Sequence, residues 1–136
     1  MILVLVDHDR GVLDPLSTRA LTAARKIDED IQAVVIGAID VIGAGVAAEV
    51  GKFGAKVLHV ANNPELNDYA PMATGRALAQ LADQLKPVAI IAAGSPRGNE
   101  QLAHLAAFKD IPMAAECTRS EEHTSELQSP YVISYA

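Results

Sequence analysis

The chain has 136 residues, half of them hydrophobic and only 4 % aromatic, with a formal net charge of −6. One domain is the expectation at that length, and the acidic balance argues against a nucleic-acid surface, which needs a basic face. No apolar run reaches the roughly 18 residues of a membrane span, and the lone Cys117 has no disulfide partner and no metal-ligand spacing, so a reducing cytoplasm is expected.

Met1 to Val6 runs straight into Asp7 without a basic segment or a small-residue cleavage site. It reads as a strand over Ile2–Val6 covered on both faces, and not as a signal peptide. Asp7-His8-Asp9-Arg10-Gly11 reads as a solvated turn at the strand end. A histidine between two carboxylates invites a catalytic role, but no nucleophile lies near it in sequence. Pro15–Ile27 reads as a helix, with Asp14 as N-cap and Pro15 at the first helical position. Leu16, Ala20, Ala23, Ala24 and Ile27 make its apolar face. Ile31–Gly37 is the second strand.

Gly43-Ala44-Gly45-Val46-Ala47-Ala48 spells G-x-G-x-x-A, close to a dinucleotide fingerprint. That fingerprint needs its first glycine in the tight turn directly after the first strand. Here the glycines follow the second strand at a distance, so small residues on a helix packed against a sheet explain them. Val46–Phe53 completes that helix and Gly54 is a natural residue to end it. Lys56–Val60 is the third strand and Asn62-Asn63-Pro64 a loop. Tyr69–Leu85 is the longest helix, stopped by Lys86 and Pro87.

Val88–Ala92 is too short for a helix and β-branched enough for a buried strand. It breaks at Gly94-Ser95-Pro96-Arg97-Gly98, then turns helical through Leu102, Leu105 and Phe108. Met113–Thr118 is the fifth strand. Strands alternating with helices imply right-handed crossovers and a parallel sheet. The expectation is a three-layer α/β/α domain with a mostly parallel sheet over residues 1–118, Rossmann-like and of the adenine-nucleotide-hydrolase-like kind. Val34, Ile36, Leu58, Ile90, Ile91 and Leu105 are expected in its core. Ligands of open α/β sheets meet the loops at the carboxyl ends of strands, which makes Gly94–Gly98 the first place to look for function.

From Arg119 the character changes. Arg119 to Ser129 has neither a helical nor a strand period, and its residues show no resemblance of the kind the rest of the chain carries. It reads as a translated sequencing adapter, with Ile133 to Ala136 as its continuation. Residues 119–136 are therefore expected to be a non-native, unstructured tail that adds nothing to the fold. They hold one basic and three acidic residues, so without them the net charge is −4.

Over residues 1–118 the chain resembles the N-terminal domain of the electron-transfer flavoprotein α-subunit family. Ile2-Leu3-Val4-Leu5-Val6-Asp7-His8-Asp9-Arg10-Gly11-Val12-Leu13 is similar to that family's opening strand, acid-His turn and G-x-L. Gly54-Ala55-Lys56-Val57-Leu58-His59-Val60 is similar to its glycine-led third strand with K-V-L. Ala92 to Glu116 is similar to its small-residue turn, often with a basic residue where Arg97 stands, followed by an L-x-x-x-L-A-A helix and a short apolar strand. Ser95 to Glu100 departs from the family's more direct turn.

The resemblance implies an electron carrier and not an enzyme. Such proteins are αβ heterodimers that hold FAD. They take electrons from acyl-CoA-type dehydrogenases, as in fatty acid β-oxidation, and pass them to a quinone oxidoreductase or another acceptor. The FAD sits mainly in the α subunit's C-terminal domain, whose motifs are not in this chain. The N-terminal domain is scaffold and partner surface, so the resemblance carries over no catalytic residue and no metal, and no cofactor is expected in this chain alone. The partners implied are the β subunit, the dehydrogenases and the acceptor, without nucleic acid or membrane insertion. The alternative is a stand-alone nucleotide-binding module of the universal-stress-like type. It would hold phosphate at a helix N-terminus with Asp7, Ser95, Arg97 and Gly98, the guanidinium pairing with the anion. A small hydrolase would need Ser95 activated by His8 or His104, and nothing in the spacing fixes such a geometry.

Overall fold

The first strand is apolar at every position because side chains alternate across a sheet and here both sides are cores. Ile2 and Val4 enter one core, Leu3 and Leu5 the other. In the computed structural model, residues 1–62, 70–117 and 131–135 are described. Their elements are β1 (Ile2–Leu5), β2 (His8–Asp9), β3 (Val12–Leu13), α1 (Pro15–Ile27), β4 (Ile31–Gly37), α2 (Ile39–Lys52), β5 (Leu58–Asn62), α3 (Pro71–Leu85), β6 (Ala89–Ala93), α4 (Pro96–Lys109), β7 (Met113–Cys117) and β8 (Tyr131–Tyr135).

Six strands form one sheet in the order β5-β4-β1-β6-β8-β7. Every neighbouring pair in it is parallel. Ile2 aligns with Ile31 on one side and with Ala89 on the other. Ala20, Leu21, Ala24, Ile42, Val46 and Val50 bring α1 and α2 onto one face. Leu78, Ala82, Leu102, Leu105 and Ala106 bring α3 and α4 onto the other. This is the three-layer α/β/α fold expected from the alternation of elements. No helix among the described residues is long and apolar enough to cross a membrane.

Three helices begin at a proline preceded by an extended or non-helical residue: Asp14-Pro15, Ala70-Pro71 and Ser95-Pro96. The pyrrolidine ring excludes the α conformation from the residue before it and suits the first helical position. The second helix lacks that device and starts ahead of the small residues Gly43 to Ala48 that the sequence places on it. It runs from Ile39 with a break at Gly43, whose φ of 70° and ψ of 177° are not helical. Gly75 lets α3 and α4 cross closely, since a Cβ there would come within 2.7 Å of the His104 Cβ.

Val34, Ile90, Ile91 and Leu105 are buried as expected. Ile36 and Leu58 are only partly covered, because they lie on β4 and β5 at one edge of the sheet. Tyr69 and Thr118 lie outside the described residues.

The end of the chain corrects the expectation of an unstructured tail. Tyr131–Tyr135 is an interior strand between β6 and β7, with Tyr131, Val132, Ile133 and Ser134 buried. Aromatic and β-branched residues suit a half-buried pleated surface, and here they alternate between the two cores. The fold therefore extends past residue 118. Residues 119–130, with Glu121, Glu122 and His123, and Ala136 lie outside the described residues.

Candidate functional site

From β1 the chain builds outward to β4 and β5, then crosses back to lay β6 on the other side of β1. The carboxyl ends of β1 and β6 are thus the switch point where an open α/β sheet forms its crevice. Asp7 follows β1 there, and Ser95, Arg97 and Gly98 follow β6. The four residues singled out from sequence come together at one place.

Their bonds are mostly turned inward. The Asp7 N–H donates to Ser17 Oγ at 2.8 Å, and the Asp7 carbonyl accepts from the Asp14 N–H at 3.0 Å. Asp7 Oδ1 accepts from the His8 N–H at 2.9 Å, and Oδ2 lies 3.3 Å from Arg97 Nε. The Asp7 and Arg97 side chains are 41 % and 53 % exposed, so water screens their attraction. Ser95 caps α4, its Oγ accepting from the Gly98 N–H at 3.0 Å. A Cβ on Gly98 would sit 2.0 Å from the Ala93 carbonyl oxygen. The glycine is therefore what seats the first turn of α4 on the end of β6.

The Asp7–Gly11 turn is more ordered than its sequence suggests. β2 and β3 pair antiparallel, joining His8 to Leu13 and Asp9 to Val12. Arg10 and Gly11, both at positive φ, form the two-residue connection such a hairpin requires. His8 Nδ1 accepts from the Gly11 N–H at 3.2 Å, which puts the proton of the neutral ring on Nε2. The hairpin walls an open cleft of about 510 Å³ with Asp7, His8, Asp9, Leu13, Asp14 and Arg97 on its surface. Val12 stands at its rim, 70 % exposed.

The cleft sets three carboxylates against one guanidinium, so it favours a cationic or polar surface over a second anion. Among the described residues no group of three or more His, Cys, Asp or Glu side chains is placed to hold a metal ion. The hydrolase geometry is not assembled. The Ser95 hydroxyl serves as a cap, His8 holds Gly11, and His104 stacks on Phe108 with centroids 6.2 Å apart. Two groups away from the cleft have shifted protonation. Asp28 is held below the usual carboxyl range, first by the Asp30 N–H at 2.9 Å and then by the Met1 ammonium at 3.3 Å. Burial pushes the Tyr131 phenol up.

Sequence reasoning located the loop but not the Asp7–Arg97 pair, whose partners are far apart in the chain. Strand order alone brings them together. The role of Gly98 did leave a local signal: Ser-Pro-x-Gly places it three residues after the cap.

Comparison with known protein families matches residues 2–130 to one described as "Electron transfer flavoprotein domain". Protein FixB of Azorhizobium caulinodans is 27 % identical over 119 residues, covering 85 % of this chain and 32 % of that protein. The electron transfer flavoprotein subunit alpha of Thermoanaerobacterium thermosaccharolyticum is 28 % identical over 118 residues, 85 % of this chain and 35 % of its own length. The subunit of the same name from Mycobacterium tuberculosis is 32 % identical over 106 residues, 78 % and 33 %. The chain spans about a third of the length of these curated relatives.

Proposed function

From the premise that this chain belongs to the electron transfer flavoprotein family, we propose that it is the N-terminal scaffold and docking domain of an electron-transfer flavoprotein α subunit. The observation that supports this is the family match over nearly the whole chain, together with relatives named as alpha subunits of which it covers about a third. The parent subunit pairs with a β subunit, and together they carry electrons on FAD in the cytoplasm. The donors are acyl-CoA-type dehydrogenases and the acceptor is a quinone oxidoreductase or a similar protein. The flavin supplies the redox chemistry.

The described residues do not fit FAD. The features that would cradle a dinucleotide at the switch point serve the fold instead. The Ser95 hydroxyl is turned to Gly98, the space beside Gly98 is filled by the Ala93 carbonyl, and Arg97 is paired with Asp7. The cleft's lining offers no phenyl, phenol or indole ring on which an isoalloxazine would stack. FAD affinity must come from many contacts that together outweigh the cost of immobilising it. In this proposal those contacts belong to the rest of the parent subunit.

Convergence of Asp7, Ser95, Arg97 and Gly98 on one crevice favours a second reading, the nucleotide-binding module of the universal-stress-like type. Titration of FAD and of AMP into the whole chain, followed by flavin fluorescence and calorimetry, separates the two. The docking-domain reading expects a colourless protein that binds neither. Stoichiometric micromolar FAD binding would overturn it, and tight AMP binding without FAD would favour the nucleotide module.

A further inference from the structure

One wall of the switch-point cleft hangs on a bond that only a neutral imidazole accepts. In the β2–β3 hairpin the turn residues Arg10 and Gly11 have φ of 51° and 83°. Arg10 is thus a non-glycine residue in the left-handed region, a conformation the surroundings must hold in place. The Gly11 N–H donates to His8 Nδ1. The Gly11 carbonyl rests against α2, where a Cβ on Gly45 would approach it to 3.3 Å. The same residue therefore ties the hairpin apex both to His8 and to the helix behind it, two residues past the break at Gly43.

We propose that His8 makes this hairpin a pH-sensitive wall of the cleft. A second proton on the ring goes to Nδ1, turns the acceptor into a donor and sets N–H against N–H. The bond is present while the ring is neutral and is lost when acidification puts a second proton on the ring. Several charged groups lie on the cleft wall or on the elements packed beside it. Asp7 and Asp9 flank it, Arg10 sits in the turn, Asp14 precedes α1, and Arg97 reaches in from α4. The first turn of α2 carries Asp40. Asp7 is already paired with Arg97 and bonded to the His8 N–H. Acidification therefore frees the apex while β1 and α1 stay in place, and the rim that carries Val12 loses its fixed position. This inference does not depend on the flavoprotein reading.

Nuclear magnetic resonance on the full chain from pH 8 to pH 5 tests it. At pH 8 the His8 ring nitrogens should show the Nε2–H form, and the Gly11 amide shift should follow the ring with the same midpoint. The Gly11 protection factor, corrected for intrinsic exchange, should fall by about two- to tenfold on acidification, the worth of one net hydrogen bond. His8→Gln offers an amide oxygen that accepts without titrating, so the protection should persist at low pH. His8→Ala should show low Gly11 protection at both extremes. A Gly11 amide that ignores the ring, a neutral ring in the Nδ1–H form, or protection that survives His8→Ala would overturn the proposal. Amides of β1 and β6 serve as the internal control for folding of each variant.

Discussion

Two helices begin at the same edge of the sheet with the same device and end up differently placed. α1 opens with Asp14-Pro15 and α4 with Ser95-Pro96. In α1 the cap is exposed, its carboxylate accepting from the Leu16 N–H at 3.1 Å. In α4 the cap is partly buried, and the first turn is driven onto the strand end, where the missing side chain of Gly98 leaves just enough room for a carbonyl. Capping chemistry sets where a helix starts, but close packing decides whether its N-terminus faces solvent or structure. Only the first kind of start has space for something else to bind.

Replacing that glycine should break the difference most. Gly98→Ala puts a methyl group onto the Ala93 carbonyl and should cost about 2–3 kcal/mol, the upper part of the range of about 1–3 kcal/mol for overpacking a filled site. Urea denaturation with an unchanged m-value would check it. The same replacement at Gly51, with nothing within 4 Å of the added Cβ, should be neutral or stabilise by about 0.5 kcal/mol. A wild-type midpoint for Gly98→Ala would mean that α4 is free to lift off β6.

Cap removal comes next. Ser95→Ala should cost about 1–2 kcal/mol because it strands a partly buried N–H, and Asp14→Ala about 0.5–1 kcal/mol because water replaces the exposed cap. Parallel thermal melts should rank them in that order. Arg97→Ala should then change stability by under about 1 kcal/mol, as expected of an exposed ion pair, and less still at high salt. A large effect would show that Arg97 braces the switch point.

The far end of α1 gives the smallest effect and a pH signature. The Asp28 carboxyl lies below its ordinary value of 3.8, held there by the Asp30 N–H and the Met1 ammonium. A lowered folded value means the ionised form is what the fold favours. Its contribution is therefore full above the ordinary value and disappears as pH falls through the lower one. Asp28→Asn should be slightly less stable than wild type at neutral pH, and the two melting curves should converge at the acid end. Curves that stay parallel would remove Asp28 from the account.

How far the sequence carries the reader depends on how local each feature is. Val88–Ala92 and Ile31–Gly37 announce themselves by composition, and the prolines at 15, 71 and 96 mark helix starts. Strands of two residues have no period to detect, so the β2–β3 hairpin reads as a turn, and its connection uses Arg10 where glycine or asparagine is the usual signal. Glycine at 43 read as a packing residue and proved to break a helix. Strand order is not a local property at all. Neither the Asp7–Arg97 pair nor the place of Tyr131–Tyr135 between β6 and β7 follows from any window of residues.

That last placement has a consequence for how the domain is made. β6 and β7 are consecutive in the outer half of the sheet, yet the strand that fills the gap between them is the later-synthesised β8. In a chain made from its N-terminus, β6 is complete before β8 exists, so its edge opposite β1 has no strand to pair with until then. A parallel strand edge of five buried residues, Ala89 to Ala93, stays open through the synthesis of everything up to residue 135. Unpaired apolar edges are the surfaces through which nascent chains stick to one another. Among the described strands, the latest in the chain is an interior one, and until it is in place the apolar edge of β6 is a surface for misassembly.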